Sequence, residues 1–398
     1  MQDSIKDDLI LFNQIVNEFL DDEKLNPISK KINIEDLSKK IDLSLGDSPT
    51  IKKEFADTLR KLILATPKSS SALFFNQLFG GRNSKAVIGD LLAVLLNNSM
   101  ATYKISGPQV GVEKEILFQV KNLIGYKENY GGTFPTGGSM SNFMSLIIAR
   151  DKKNLDIRNT GVNQKLIMYA SDNAHYSIAK NASFSGIGRD NVRYIKSNSF
   201  GCLDVKLLEE AINIDLKKGY TPFYINATAG TTVLGAFDNI KGISKISKKH
   251  KLWLHVDGAW GGAVLFSKSY NKLIAGVENS DSFCFNAHKS LGVPLSSSVL
   301  LVADKKDLYN SFSNEASYLY QTHDNDYNLG QTSFECGRRN NSLKLWTMWK
   351  AIGTSGISKV IDHQFTLADY ARSYVRGSKD YKLYSFDDSL SCLLYTSD

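Results

Sequence analysis

The stretch LIMYASDNAHYSIAKNASFSGIGRDNVRYI, Leu166–Ile195, holds the plan of the fold. It opens on a β-rich run, Leu166–Ala170. It passes through a polar turn into a helical span at Tyr176–Ser185 and closes on a second run, Val192–Ile195. The alternation continues downstream. Further runs lie at Phe223–Ala227 (FYINA), Leu252–Val256 (LWLHV), Ser282–Phe285 (SFCF) and Val299–Val302 (VLLV), and further helical spans at Ser141–Lys152, Val205–Lys217 and Ile240–His250. Strands alternating with helices predict an α/β domain whose largely parallel sheet is covered on both faces. In such a sheet, ligands bind at the carboxyl ends of the strands.

Outward from this centre the pattern changes. Leu9, Phe12, Ile15, Val16 and Phe19 recur at helical spacing, as do Phe55, Leu59, Leu62 and Ile63. Residues 1–100 therefore read as an N-terminal helical segment, and 101–355 as the large α/β domain. Residues 356–398 start a third region, with a helix near Asp362–Arg376 and a strand-like Tyr381–Phe386.

Chemistry gathers at the predicted strand ends. In DSFCFNAHKSLG (Asp281–Gly292), Lys289 follows an apolar strand, with Asn286 and His288 beside it. Partial desolvation there would lower its pKa and supply a neutral, nucleophilic amine. In KLWLHVDGAWGG (Lys251–Gly262), a strand ends in Asp257, followed by small residues that admit a flat ligand. A lysine and an acid so placed are the pair by which an enzyme holds pyridoxal phosphate (PLP). GGTFPTGGSMSN (Gly131–Asn142) turns into a helix N-terminus, with Ser139 and Ser141 as added donors, and makes a phosphate cradle. It is neither a mononucleotide P-loop nor a dinucleotide fingerprint. His175, after the first strand, could stack on a ring or donate a proton. Thr228 ends another strand, where a crowded ligand floor and a plain turn are nearly equal readings. Singly, each feature has a plainer explanation: a solvated lysine, a helix-capping aspartate, a structural histidine. Together on one sheet edge they favour the cofactor.

Composition removes several other classes. Lys+Arg (48) exceeds Asp+Glu (41), for a net charge of +7, but no basic-aromatic motif accompanies it, so nucleic-acid binding is disfavoured. The surplus suits anionic ligands. Cys202, Cys284, Cys336 and Cys392 show no metal spacing and read as free thiols. The six histidines form no HExxH pattern, and no metal site is expected. The first residues are acidic and lack the apolar core of a signal peptide, and Leu91–Leu96 is too short to span a bilayer. A cytoplasmic protein without membrane contact is the expectation.

In order along the chain, FFNQL (Phe74–Leu78), PTGGSMSN (Pro135–Asn142), AHYSI (Ala174–Ile178), NATAGTTVLGAFD (Asn226–Asp238), HVDGAWGG (His255–Gly262), NAHKSLGVPL (Asn286–Leu295) and CGRRNNSLKLW (Cys336–Trp346) resemble the group II PLP-dependent decarboxylases. That family includes glutamate, cysteine-sulfinate, aspartate and aromatic amino-acid decarboxylases. The resemblance implies the PLP transferase type I fold, with a mainly parallel seven-stranded sheet, working as a homodimer. It implies that Lys289 carries the cofactor, that Asp257 partners the pyridine nitrogen and that His175 stacks on the ring. Ala259 and Thr228 would lie against the ring. Ser139, Met140, Ser141, Asn286 and His288 would bind the phosphate side. An amino acid would lose its carboxylate as CO2 while the ring takes up the electrons.

The same resemblance assigns the proton donor to a loop tyrosine, matched here by Tyr327 in QTHDNDYNLGQ (Gln321–Gln331), a stretch shorter than in animal glutamate decarboxylases. FFNQLFGG resembles the acidic-substrate branch, which puts Asn76 and Gln77 in the substrate pocket and favours glutamate, cysteine sulfinate or aspartate over an aromatic amino acid. The C-terminal domain is shorter than the family pattern, and Ser391–Asp398 (SCLLYTSD) resembles adapter read-through, so a longer natural chain is expected. Two other readings use the same residues: another PLP reaction, such as an aminotransferase or lyase, and a non-catalytic PLP-fold dimerisation protein.

Overall fold

A computed structural model describes residues 2–29, 31–74, 80–314 and 325–383. The chain divides into two compact units, Met1–Asn76 and Gln77–Asp398. The first is helical. Helix α1 (Gln2–Leu25) packs on α2 (Lys52–Ala65), and the Arg60 guanidinium reaches Glu18 across them at 3.0 Å. The buried Lys68 amine is held by the Asp22 carboxylate and by the carbonyl of Asn26 at 2.6 Å.

The second unit is built on a seven-stranded sheet. Its strands are β1 (Gly131–Thr133), β2 (Leu166–Ser171), β3 (Val192–Ile195), β4 (Thr221–Thr228), β5 (Trp253–Gly258), β6 (Ser282–Asn286) and β7 (Ser298–Val302), in the order β1-β7-β6-β5-β4-β2-β3. Strands β3, β2, β4, β5 and β6 run parallel, and β7 pairs antiparallel with both β6 and β1. Every residue of β2, β5 and β6 is buried, as expected of strands covered on both faces. Each apolar side chain sealed there contributes roughly 1.5–3 kcal/mol by leaving water.

Helices α3 (Ser84–Leu96), α4 (Gln109–Ile124), α5 (Gly138–Lys153), α6 (Ser177–Phe184), α7 (Val205–Lys217), α8 (Ile240–His250), α9 (Lys305–Phe312) and α10 (Leu343–Gly377) surround the sheet. Local chemistry sets their ends. The Asp204 carboxylate accepts from the Lys206 and Leu207 amides and starts α7. Lys248, Lys249 and His250 face the negative end of the α8 dipole, and Lys251 closes that helix in a left-handed conformation (φ 55°).

The contact boundary falls at residue 76, not at 100, because α3 lies along α10 and belongs to the large unit. The Thr347 hydroxyl donates to the Lys85 carbonyl at 2.9 Å, and Gly89 presses on the backbone at Lys344. The expected border at 355 also moves. One helix runs from Leu343 to Gly377, broken at Gly353, whose φ of 68° only glycine adopts readily. No strand forms over residues 381–383, and the rest of the expected strand lies outside the described residues. No helix among the described residues is long and apolar enough to cross a membrane.

Candidate active site

The parallel strands end on one edge of the sheet, and register carries the chemistry there. Thr228 on β4 pairs with Asp257 on β5, which pairs with Cys284 on β6. The helical turn Ala287–Ser290 follows β6 directly and brings His288 and Lys289 to the same edge. His175 follows β2 at the start of α6. Thr228, Asp257, His175, His288 and Lys289 line one cavity of about 260 Å³, together with Ser139, Ala259, Trp260 and Asn286.

Lys289 is half-buried, and burial lowers its pKa against the pull of Asp257 and Cys284. A neutral amine is therefore more accessible than on an ordinary surface lysine. The Asp257 carboxylate is 4% exposed. Its Oδ1 accepts from the Ala259 amide at 3.0 Å and its Oδ2 from Asn142 Nδ2 at 2.7 Å. Burial holds His175 below its usual range, and its Nδ1 accepts from the Ser177 amide at 3.2 Å. Burial likewise pushes His288 down to about 4, and its Nδ1 lies 2.9 Å from both the carbonyl and the amide of Ser297.

The glycine turn fits a phosphate. Helix α5 has no side-chain cap at its N-terminus, so its first-turn amides remain available to an anion. A Cβ added to Gly138 would lie 2.8 Å from Ala259 Cβ and 3.1 Å from Asn286 Nδ2, so a side chain at this position is excluded. Asn286 thus faces the turn, and its Oδ1 accepts from the Ser298 hydroxyl at 2.6 Å. Ser139 lines the cavity, and its carbonyl is held by Asn181 Nδ2 at 3.0 Å. No group of His, Cys, Asp or Glu that could hold a metal ion occurs among the described residues.

Three expectations change. Ser141 is fully buried, with its hydroxyl 2.8 Å from Ser298 Oγ, because one helical step past the turn it faces the sheet. It supports Asn286 through Ser298 rather than lining the cavity. The Met140 side chain packs on the apolar core, leaving only its backbone for an anion. Tyr327 does not line the cavity of its own chain. Its ring meets Tyr103 edge-on at 5.7 Å and lies under the Lys114 amine at 4.6 Å, because the turns around it fold against α4. Asn76 and Gln77 lie outside the described residues.

The sequence reading missed Asn142, Ser177 and His255. Asn142 stands one helical turn after Gly138, and His255 lies two residues before Asp257 on the same strand face. Both spacings could have marked them.

A desolvated lysine, a buried acid and an uncapped helix N-terminus on one parallel-sheet edge fit a PLP-dependent enzyme of the type I fold. Residues 35–395 match the conserved domain of the pyridoxal-dependent decarboxylases, and the chain belongs to that family. It is 36% identical over 384 residues to the acidic amino acid decarboxylase GADL1 of Xenopus tropicalis, covering 94% of this chain and 74% of that protein. It is also 36% identical to human cysteine sulfinic acid decarboxylase over 383 residues, covering 94% of this chain and 77% of that one. The crystal structure of mouse CSAD superposes with a TM-score of 0.92 at 32% identity, covering 98% of this chain and 83% of that one.

Proposed function

We propose that the chain decarboxylates a small acidic amino acid (cysteine sulfinate, aspartate or glutamate) with PLP carried on Lys289. One observation carries the reading. The desolvated lysine and the hydrogen-bonded Asp257 lie on neighbouring strand ends of a chain 36% identical to decarboxylases named for such substrates. Bound PLP supplies an electron sink for the pair released when the bond from Cα to the carboxylate breaks. Asp257 would keep a proton on the ring nitrogen, and His175 would lie flat against the ring. The α5 N-terminus, Ser139, Asn286 and His288 would hold the phosphate, with Thr228 and Ala259 against the ring.

The active form we propose is a homodimer. Supporting it, Ile88, Leu91, Leu92, Val94 and Leu95 on α3 are each 44–59% exposed, which is costly for a lone chain in water. The free thiols of Cys202, Cys284 and Cys336 support a reducing compartment, the cytoplasm.

The test uses protein mixed with PLP, with light scattering on the same sample for the dimer. Borohydride is expected to bleach the visible absorbance of the wild type and leave the pyridoxyl group covalently attached to it, and to attach none to Lys289→Ala. CO2 is expected from cysteine sulfinate, aspartate or glutamate and not from tryptophan. A keto acid product would favour transamination instead. Absence of PLP binding by the folded wild type would sink the reading.

A further inference from the structure

The ring-binding acid and the ring-face histidine are joined by one side-chain amide. Asn142 projects from α5 and is 1% exposed. Its Nδ2 carries two protons. One goes to Asp257 Oδ2 at 2.7 Å, the other to Ser177 Oγ at 3.3 Å. The Ser177 hydroxyl in turn lies 2.8 Å from His175 Nδ1, which already accepts the Ser177 amide and so carries no proton. The hydroxyl must therefore donate to it. His175 is left with its proton on Nε2.

The amide works only in this orientation. Turned over, its oxygen would face a carboxylate oxygen, with two acceptors in contact. What holds it is His255, fully buried on the same face of β5, whose Nε2 lies 3.0 Å from Asn142 Oδ1. With the amide oriented toward Asp257, that Nε2 must carry the proton. Burial keeps the ring neutral, so Nδ1 is then bare. It accepts the Ser282 hydroxyl at 2.8 Å, and Ser282 Oγ itself accepts the Trp253 indole N–H at 2.9 Å. The Ser282 carbonyl also lies beside the ring and favours a proton on Nδ1. That arrangement would leave Asn142 Oδ1 facing a bare nitrogen, an unmatched buried pair that costs more than the carbonyl contact returns.

We infer that Asn142, locked by His255, is a positioning residue of the proposed PLP site: it orients the Asp257 carboxylate and donates to the Ser177 hydroxyl, whose own proton is thereby directed to His175 Nδ1. The inference rests on the PLP reading, but the chain of hydrogen bonds exists in the protein without cofactor.

The experiment has two arms. In the first, the full chain is labelled with nitrogen-15 at histidine, and ring nitrogen resonances are recorded without PLP. His255 and His175 are both expected with the proton on Nε2 and a bare Nδ1. A proton on Nδ1 of His255 overturns the inference. In the second, PLP is titrated by quenching of tryptophan fluorescence in wild type, Asn142→Leu, His255→Leu and His255→Gln. Both leucine variants are expected to bind PLP roughly tenfold more weakly, the loss of about one charge-assisted hydrogen bond. His255→Gln, whose amide can donate to Asn142, is expected to recover most of the affinity. Leucine variants that bind PLP like the wild type overturn the inference. If those variants do not fold, the wild-type resonances decide alone. A wild type that fails to bind PLP refutes the functional reading and leaves the resonance test standing.

Discussion

His255 and His288 are neutral in the folded chain because burial pushes both down to about 4. Unfolded, each takes up a proton near its usual 6.5. Between those values the unfolded state binds more protons, so stability is lost as pH falls from about 6.5 toward 4. The full shift is worth roughly 3 kcal/mol per histidine. Asp238 acts in the opposite sense. Burial raises it to about 6, although the Leu203 and Thr228 amides both donate to it, so it favours the folded state as pH falls from about 6 toward its usual 3.8. Two histidines outweigh one aspartate. The urea midpoint is expected to be lower at pH 5 than at pH 7. An equal or higher midpoint at pH 5 would mean that the raised carboxyls Asp238, Glu113 and Asp281 together outweigh these histidines.

At the scale of elements, the α5 N-terminus decides the site's shape. An alanine at Gly138 would crowd both Ala259 and Asn286. Gly138→Ala is expected to weaken PLP binding on the order of tenfold, about 1.4 kcal/mol, with a smaller effect on the unfolding midpoint. Fluorescence titration with PLP checks this, and wild-type affinity would show that the turn yields. The helices and strands themselves were largely legible. Val205–Lys217 and Ile240–His250 occur as read, and six strands lie within two residues of their β-rich runs. β1 escaped because two of its three residues are glycine, which carries no strand signal. It exists because its backbone pairs with β7.

At the scale of the molecule, one buried ion pair ties α4 to the approach of α10. Arg338 grips both oxygens of Glu113 at 2.9 Å, and neither side chain is more than 3% exposed. Burial raises the Glu113 pKa even with the guanidinium beside it. Arg338→Leu would strand the carboxylate and is expected to cost about 3–5 kcal/mol in urea unfolding. Adding Glu113→Leu is expected to recover part of that loss. A double variant as unstable as the sum of the two singles would show that the side chains do not interact. The arginine stands in a quoted motif, CGRRNNSLKLW, but its partner is 225 residues away in sequence, and no local pattern links them.

The sequence alone determined the alternation of strands and helices and the residue types at the strand ends. Apolar periodicity and glycine placement are local properties, readable in windows of a dozen residues. Lys289, Asp257, His175 and Thr228 followed from that. The tertiary structure decided which side chains meet. Register set Thr228 beside Asp257, and the helical turn after Gly138 aimed Asn142 at Asp257 while turning Ser141 toward Ser298. It also held Tyr327 against Tyr103 and Lys114. Hydrogen bonds between residues over a hundred positions apart depend on sheet order and helix rotation, which a one-dimensional pattern does not encode.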